Sequence, residues 1–138
     1  MSGPLFHMIS GGPRPVAPFS HAVEADGWVL LTGQMPTDPA DPDAPLPEGI
    51  EAQTERVLEN LKIVLGGLGL GLTHVLQARI YLTEFERDYA AMNAVWTRYF
   101  PGAKKPARTT IGVTALAVGA CVEIDMVARR PMPRDREK

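Results

Sequence analysis

The sequence predicts an α+β domain: a single mixed sheet, covered on one face by two helices, in the order β-β-β-α-β-α-β-β. Three observations predict it. Two strand-like runs flank Asp26-Gly27, a dipeptide that tolerates positive φ at both positions and so closes a tight hairpin. Two later segments carry apolar residues at helical spacing, each leaving one stripe to bury. The remaining segments alternate with period two, as half-buried strands do.

In chain order, residues 5–10 (LFHMIS) have strand character and are stopped by Gly11-Gly12-Pro13-Arg14-Pro15, a loop signature. FSHAVEA and WVLLTGQ, within residues 19–34, form the hairpin strands. Residues 36–47 (PTDPADPDAPLP) are a surface loop, because proline removes donors and fixes φ. From about Glu48, the residues Val57, Leu58, Leu61, Val64, Leu65 and Leu68 make one helical stripe. The glycines at 66, 67, 69 and 71 follow a helix and lack the Gly-Lys-Ser/Thr ending, so they stop that helix and do not cradle a phosphate.

Residues 73–83 (THVLQARIYLT) alternate, with Val75, Gln77, Arg79 and Tyr81 on one side and Leu76, Ala78, Ile80 and Leu82 on the other. Thr83 with Glu86 gives a capping-box spacing for the second helix, whose apolar face is Phe85, Tyr89, Met92, Val95, Trp96 and Tyr99. Pro101-Gly102 ends it, and strands at about 107–116 and 121–130 follow, with Ala117–Ala120 between them as a turn. Two helices cover one sheet face. Too few residues remain for the other, so oligomerisation is expected.

The 138 residues form one expected domain, with a strand and loop at 1–17 and a tail at 131–138. Apolar residues at 45% and charged residues at 22% match folded soluble domains. No run approaches the roughly 20 apolar residues of a membrane span, and Met1–Leu5 does not resemble a secretory signal, so a cytoplasmic address is the expectation. A net charge of −2 argues against nucleic acid, whose binders concentrate positive charge. The basic stretch from Arg129 to Arg134 reads as a solvated tail.

Little conventional chemistry is visible. His7, His21 and His74 are scattered, without the converging ligands a metal requires. Gly-x-Ser-x-Gly is absent. Cys121, the single cysteine, permits no intrachain disulfide and reads as a buried, inert thiol.

Arg108 stands out because it opens the otherwise uncharged run TTIGVTALAVGA. A guanidinium entering an apolar segment needs a partner, and its planar fork suits a carboxylate. Glu123, between Val122 and Ile124, is the matching oddity. If residues 107–130 form a hairpin centred on Val118-Gly119, Arg108 faces about Arg129 and Glu123 about Thr114. The two then stand on the order of 20 Å apart at strand rise, too far to pair within one chain. Across a subunit boundary they can meet.

Pro106-Ala107-Arg108, a strand, a turn and Val122-Glu123-Ile124 resemble the signature of the YjgF/RidA family, the reactive intermediate deaminases also called endoribonuclease L-PSP proteins. Ala17-Pro18-Phe19-Ser20 is similar to that family's Gly-Pro-Tyr segment, Leu31-Thr32-Gly33-Gln34 to its Thr-Gly-Gln strand end, and residues 92–100 to its Asn-containing helix. The resemblance implies a chorismate-mutase-like fold, a homotrimer with clefts between subunits, and no metal or organic cofactor. It implies hydrolysis of carboxylated enamines and imines, such as 2-aminoacrylate, to 2-oxoacids and ammonia. Arg108 would bind the substrate carboxylate and Glu123 would manage water and protons. Thr32, Gly33, Asn93, Phe19 and Thr110 would line the cleft. Phe19 stands where the family commonly has tyrosine, and Thr110 where it commonly has cysteine, so the reaction class is better specified than the substrate. A carboxylate-binding regulatory module and a ribonuclease or translation inhibitor are the alternatives.

Overall fold

The computed structural model describes residues 3–132; residues 133–138 of the expected tail lie outside the described residues. The strands are β1 (Leu5–His7), β2 (Ala22–Ala25), β3 (Trp28–Gln34), β4 (Val75–Leu82), β5 (Ala107–Gly112) and β6 (Val122–Arg129), with helices α1 (Ile50–Gly67) and α2 (Phe85–Tyr99). Their sequence order is the expected β-β-β-α-β-α-β-β. One sheet has the order β1-β2-β3-β6-β4-β5, with β4 and β5 parallel and every other pair antiparallel.

The β2–β3 hairpin turns at Asp26 (φ 53°) and Gly27 (φ 82°), the left-handed pair that matches strand twist. Both helices lie on one sheet face. The α1 stripe of Val57, Leu58, Leu61, Val64 and Leu65 is fully buried, as its spacing requires. From α2, Met92, Val95 and Trp96 enter the same core. Sheet residues Val29, Ala78, Ile80, Leu82, Val122, Ile124 and Met126 complete it.

The last two strands do not form the expected hairpin. β6 lies between β3 and β4, while β5 pairs with β4 at the sheet edge. The reason is burial. In β6 every second residue, Val122, Ile124, Met126 and Ala128, is buried beneath the helices, which suits a strand at the centre of the sheet. β5 has no buried residue and tolerates an edge. The connection runs through Val113, whose N–H bonds Leu82 O at 2.9 Å, and through Val118 at φ 55°, too long a path for a two-strand turn.

Three local expectations also change. Val75 is buried and Leu76 is 45% exposed, because a register shift between Val75 and Gln77 interrupts the alternation. Thr83 is not the cap of α2: its N–H still bonds Cys121 O at 3.1 Å, and the helix begins after Glu84 without a side-chain cap. The proline-rich loop starts buried, since Asn60 Nδ2 donates to Met35 O (3.1 Å) and Thr37 O (2.8 Å).

Buried polar contacts close the sheet's far edge. His21 accepts the Ile9 N–H at Nδ1 (2.8 Å), so its proton sits on Nε2 and points to Pro13 O at 2.5 Å. Arg130 grips Glu24 with two bonds, 2.8 and 3.0 Å, and donates a third to Leu68 O. That fork, aided by His7, holds the Glu24 carboxyl below the usual carboxylate range against the opposing effect of burial.

Candidate functional site

The expected site residues fall into two groups. The first surrounds Glu123. Its strand neighbours Val122 and Ile124 face the helices, so alternation sends Glu123 to the uncovered sheet face. There its carboxylate lies against Gly33 of β3: a Cβ at position 33 would overlap Glu123 Oε2. Only glycine permits this approach. The preceding residue, Thr32, donates its hydroxyl to Ser20 O at 2.7 Å, and its N–H bonds His21 O at 3.1 Å. The Phe19-Ser20 segment is thereby fastened beside the end of β3. Among the described residues, no donor hydrogen-bonds the Glu123 carboxylate.

Burial raises the proton affinity of Glu123 above the ordinary glutamate value, and the negative charge of Asp125 raises it further. Asp125, two residues on, shares the face of Glu123. It receives two bonds from Arg79, at 2.9 and 3.0 Å, and one from the Tyr81 hydroxyl at 2.9 Å. A hollow of about 290 Å³ opens beside these groups, bounded by Thr32, Gly33, Arg79 and Asp125 among others.

The second group gathers along the β5–α2 seam. Arg108 pairs in register with Ala78 and Thr110 with Ile80, so both side chains leave the sheet on the helix side. The Arg108 guanidinium lies over the Trp96 ring, 5.4 Å from its centroid, a cation–π contact. No carboxylate partners Arg108 among the described residues. Asn93 stands one turn before Trp96 on α2, and a Cβ on Gly112 would sit 3.4 Å from Phe85 Cβ, so β5 runs along α2. Asn93 Oδ1 and Thr110 Oγ1 are buried without a hydrogen-bond partner among the described residues, which leaves both free for an incoming polar group.

The two groups do not converge within one chain. Through β4, Arg108 aligns with Met126, three residues from Glu123 and two strand spacings away. That is roughly 14 Å at standard strand geometry, shorter than the hairpin spacing, and the two side chains leave opposite faces. Arg108 is nevertheless on the edge strand, where a second molecule can approach. A larger hollow, about 710 Å³, is lined by Leu72, Leu76, Tyr99, Phe100 and Pro106; it stops short of Arg108 and contains neither group's polar atoms.

Cys121 is half-buried rather than buried, with its N–H bonded to Gln53 Oε1 at 2.9 Å and Arg87 Nη2 3.8 Å from its sulfur. The Arg79–Asp125–Tyr81 cluster escaped sequence reasoning. Its signal is the shared side of Arg79 and Tyr81 in β4, which gains meaning only once β6 lies alongside.

Residues 10–130 match the model of the family described as Endoribonuclease L-PSP. The protein DfrA of Myxococcus xanthus is 45% identical over 118 residues, covering 84% of this chain and 88% of DfrA. The crystal structure of YyfA from Yersinia pestis, of the conserved Rid protein family, superposes with a TM-score of 0.85 at 31% identity, covering 92% of this chain and 99% of that one. Escherichia coli TdcF, crystallised with bound serine, gives a TM-score of 0.82 at 25% identity, over 90% of this chain and 98% of TdcF. Among the described residues, no helix is long and apolar enough to cross a membrane.

Proposed function

Because the chain belongs to the endoribonuclease L-PSP family, the YjgF/RidA proteins, we propose that it is a hydrolytic deaminase of small carboxylated enamines and imines. The observation that carries this reading is a complementary pair of unpartnered groups. Among the described residues, Arg108 is a guanidinium without a carboxylate, and Glu123 is a partly buried carboxylate without a donor. A 2-imino acid supplies what each lacks, an acid group for the first and a reacting water for the second. Serine bound to the related TdcF supports a ligand of amino-acid size.

In this reading the substrate carboxylate docks bidentately on Arg108. An enamine first takes a proton on carbon to become the iminium ion, whose carbon is already electrophilic. Glu123 accepts a proton from the attacking water as the new C–O bond forms and gives it to the nitrogen of the resulting carbinolamine; it then takes the remaining hydroxyl proton as the C–N bond breaks, the C=O forms and ammonia leaves. The products are a 2-oxoacid and ammonia. Positioning supplies most of the acceleration, and no step requires a metal or organic cofactor.

The clefts form between copies of the chain, as a homotrimer. The uncovered sheet face carries Trp28, Leu30 and Ile111 at 45–54% exposure, a large apolar surface for a lone domain. A copy seated there brings its neighbour's edge strand, with Arg108, toward Glu123. The proposed setting is cytoplasmic.

The test generates 2-aminoacrylate in situ and follows 2-oxoacid release with wild type, Arg108→Ala and Glu123→Ala. Acceleration by wild type, lost by at least about 100-fold in either variant, is expected. Equal rates for wild type and Arg108→Ala would refute the model. One observation favours a binding module without turnover: Phe19 lacks the hydroxyl of the family's usual tyrosine. Tight binding of small 2-oxoacids, with no acceleration of any imine tested, would identify that module.

A further inference from the structure

Tyr81 and Glu123 are cross-strand partners in the β4–β6 ladder, and Arg79 and Asp125 are the next pair on the same face. Direct pairing would send the Tyr81 hydroxyl to Glu123. It goes diagonally instead, donating to Asp125 Oδ2 at 2.9 Å, while Arg79 takes both Asp125 oxygens at 2.9 and 3.0 Å. Asp125 therefore takes both of the β4 donors that stand opposite Glu123 and itself. Glu123 is left with Gly33 beneath its carboxylate and no hydrogen bond among the described residues.

We infer that Asp125, clamped by Arg79 and Tyr81, is a positioning residue: it keeps a fixed negative charge beside Glu123 and diverts the donors that would otherwise quench it as a base. This deepens the deaminase reading and rests on it only for the use made of Glu123. An ion-paired carboxylate next to Glu123 penalises the second negative charge, so Glu123 holds a proton more readily than an ordinary glutamate. Were Tyr81 and Arg79 to bond Glu123 instead, they would favour its charged form and weaken it as a proton acceptor. The titratable and charged groups facing Glu123 are Asp125 on its own strand, with Tyr81 and Arg79 on β4. β3 presents Thr32 and Gly33, neither of which titrates. Burial acts on Glu123 in the same direction as Asp125 and is unaffected by changing the aspartate charge, so the two contributions separate experimentally.

The experiment follows the Glu123 side-chain carboxyl by carbon NMR across pH, with the resonance assigned by its loss in Glu123→Gln. Asp125→Asn should lower the Glu123 midpoint by at least about half a pH unit, the interaction of carboxylates about 6 Å apart when they are screened as fully as in bulk water. Asp125→Glu should restore it. Should Asp125→Asn fail to fold, Arg79→Gln serves in its place: it strips Asp125 of its counter-charge and should raise the midpoint. A Glu123 midpoint that stays fixed in the folded variants overturns the inference. The acid limb of the kcat/KM profile for imine hydrolysis should shift with the titration. If the midpoint moves but no imine is hydrolysed, the deaminase reading fails and the positioning device stands.

Discussion

The carboxylate of Glu123 rests on Gly33, so close that a Cβ at that position would overlap Oε2 and stand 3.0 Å from Cδ. Gly33 therefore makes room for a carboxylate that its own strand would otherwise push aside. The atoms that a Cβ would meet are the far end of a flexible side chain, so Gly33→Ala should cost little stability and swing the Glu123 carboxylate aside. A larger loss of imine hydrolysis should accompany it, because the base is displaced. Denaturant unfolding together with steady-state rates checks both.

Glu123 should cost stability at neutral pH. Its folded-state proton affinity is raised above the unfolded value, by burial first and Asp125 second. Its favourable contribution is thus complete below the unfolded midpoint of about 4.5 and is lost as pH rises through the folded one. Glu123→Gln should melt higher than wild type at pH 8, and the difference should vanish near pH 4. Thermal melts across that range measure it.

Glu24 has the opposite sign. Its proton affinity is lowered, chiefly by the hydrogen bonds from Arg130 and secondarily by His7, with burial opposing. Its contribution is present above about pH 4.5 and disappears as pH falls through the folded midpoint. Glu24→Gln should destabilise the protein by about 1–2 kcal/mol at pH 7, a charged hydrogen bond discounted for the partial exposure of Arg130. The gap between variant and wild type should narrow below pH 4, as read by chemical denaturation.

The uncovered face makes its own prediction. Leu30 is 54% exposed in the isolated chain, on the face away from both helices. If copies associate there, Leu30→Glu should convert the oligomer to monomers without unfolding the chain. Sedimentation velocity with circular dichroism would show it, and an unchanged mass for the variant would place the interface elsewhere.

Much of the fold was legible because its signals are local. The α1 stripe is buried at each leucine and valine that its spacing selects, and Asp26-Gly27 turns where two positive-φ positions were required. Strand pairing is a choice among neighbours, and local period does not make it. The hint lay in composition, since β6 alternates apolar residues without fail while β5 (ARTTIG) does not. Arg108 and Glu123 were visible as charges in apolar strands. Asp125, Arg79 and Tyr81 each look like ordinary solvent-facing residues until β4 and β6 are set side by side. The Thr83–Glu86 capping box failed because tertiary pairing kept Thr83 in the ladder with Cys121.

The central claim is that Arg108, without a carboxylate partner among the described residues and stacked on Trp96 at 5.4 Å, grips a substrate carboxylate. Its most direct test is selectivity: kcat/KM for a 2-imino acid against the matching imine lacking the acid group, in wild type and Arg108→Ala. Wild type should prefer the carboxylated substrate by about 100-fold, or roughly 3 kcal/mol, and Arg108→Ala should erase that preference. A preference that survives in Arg108→Ala would contradict the account.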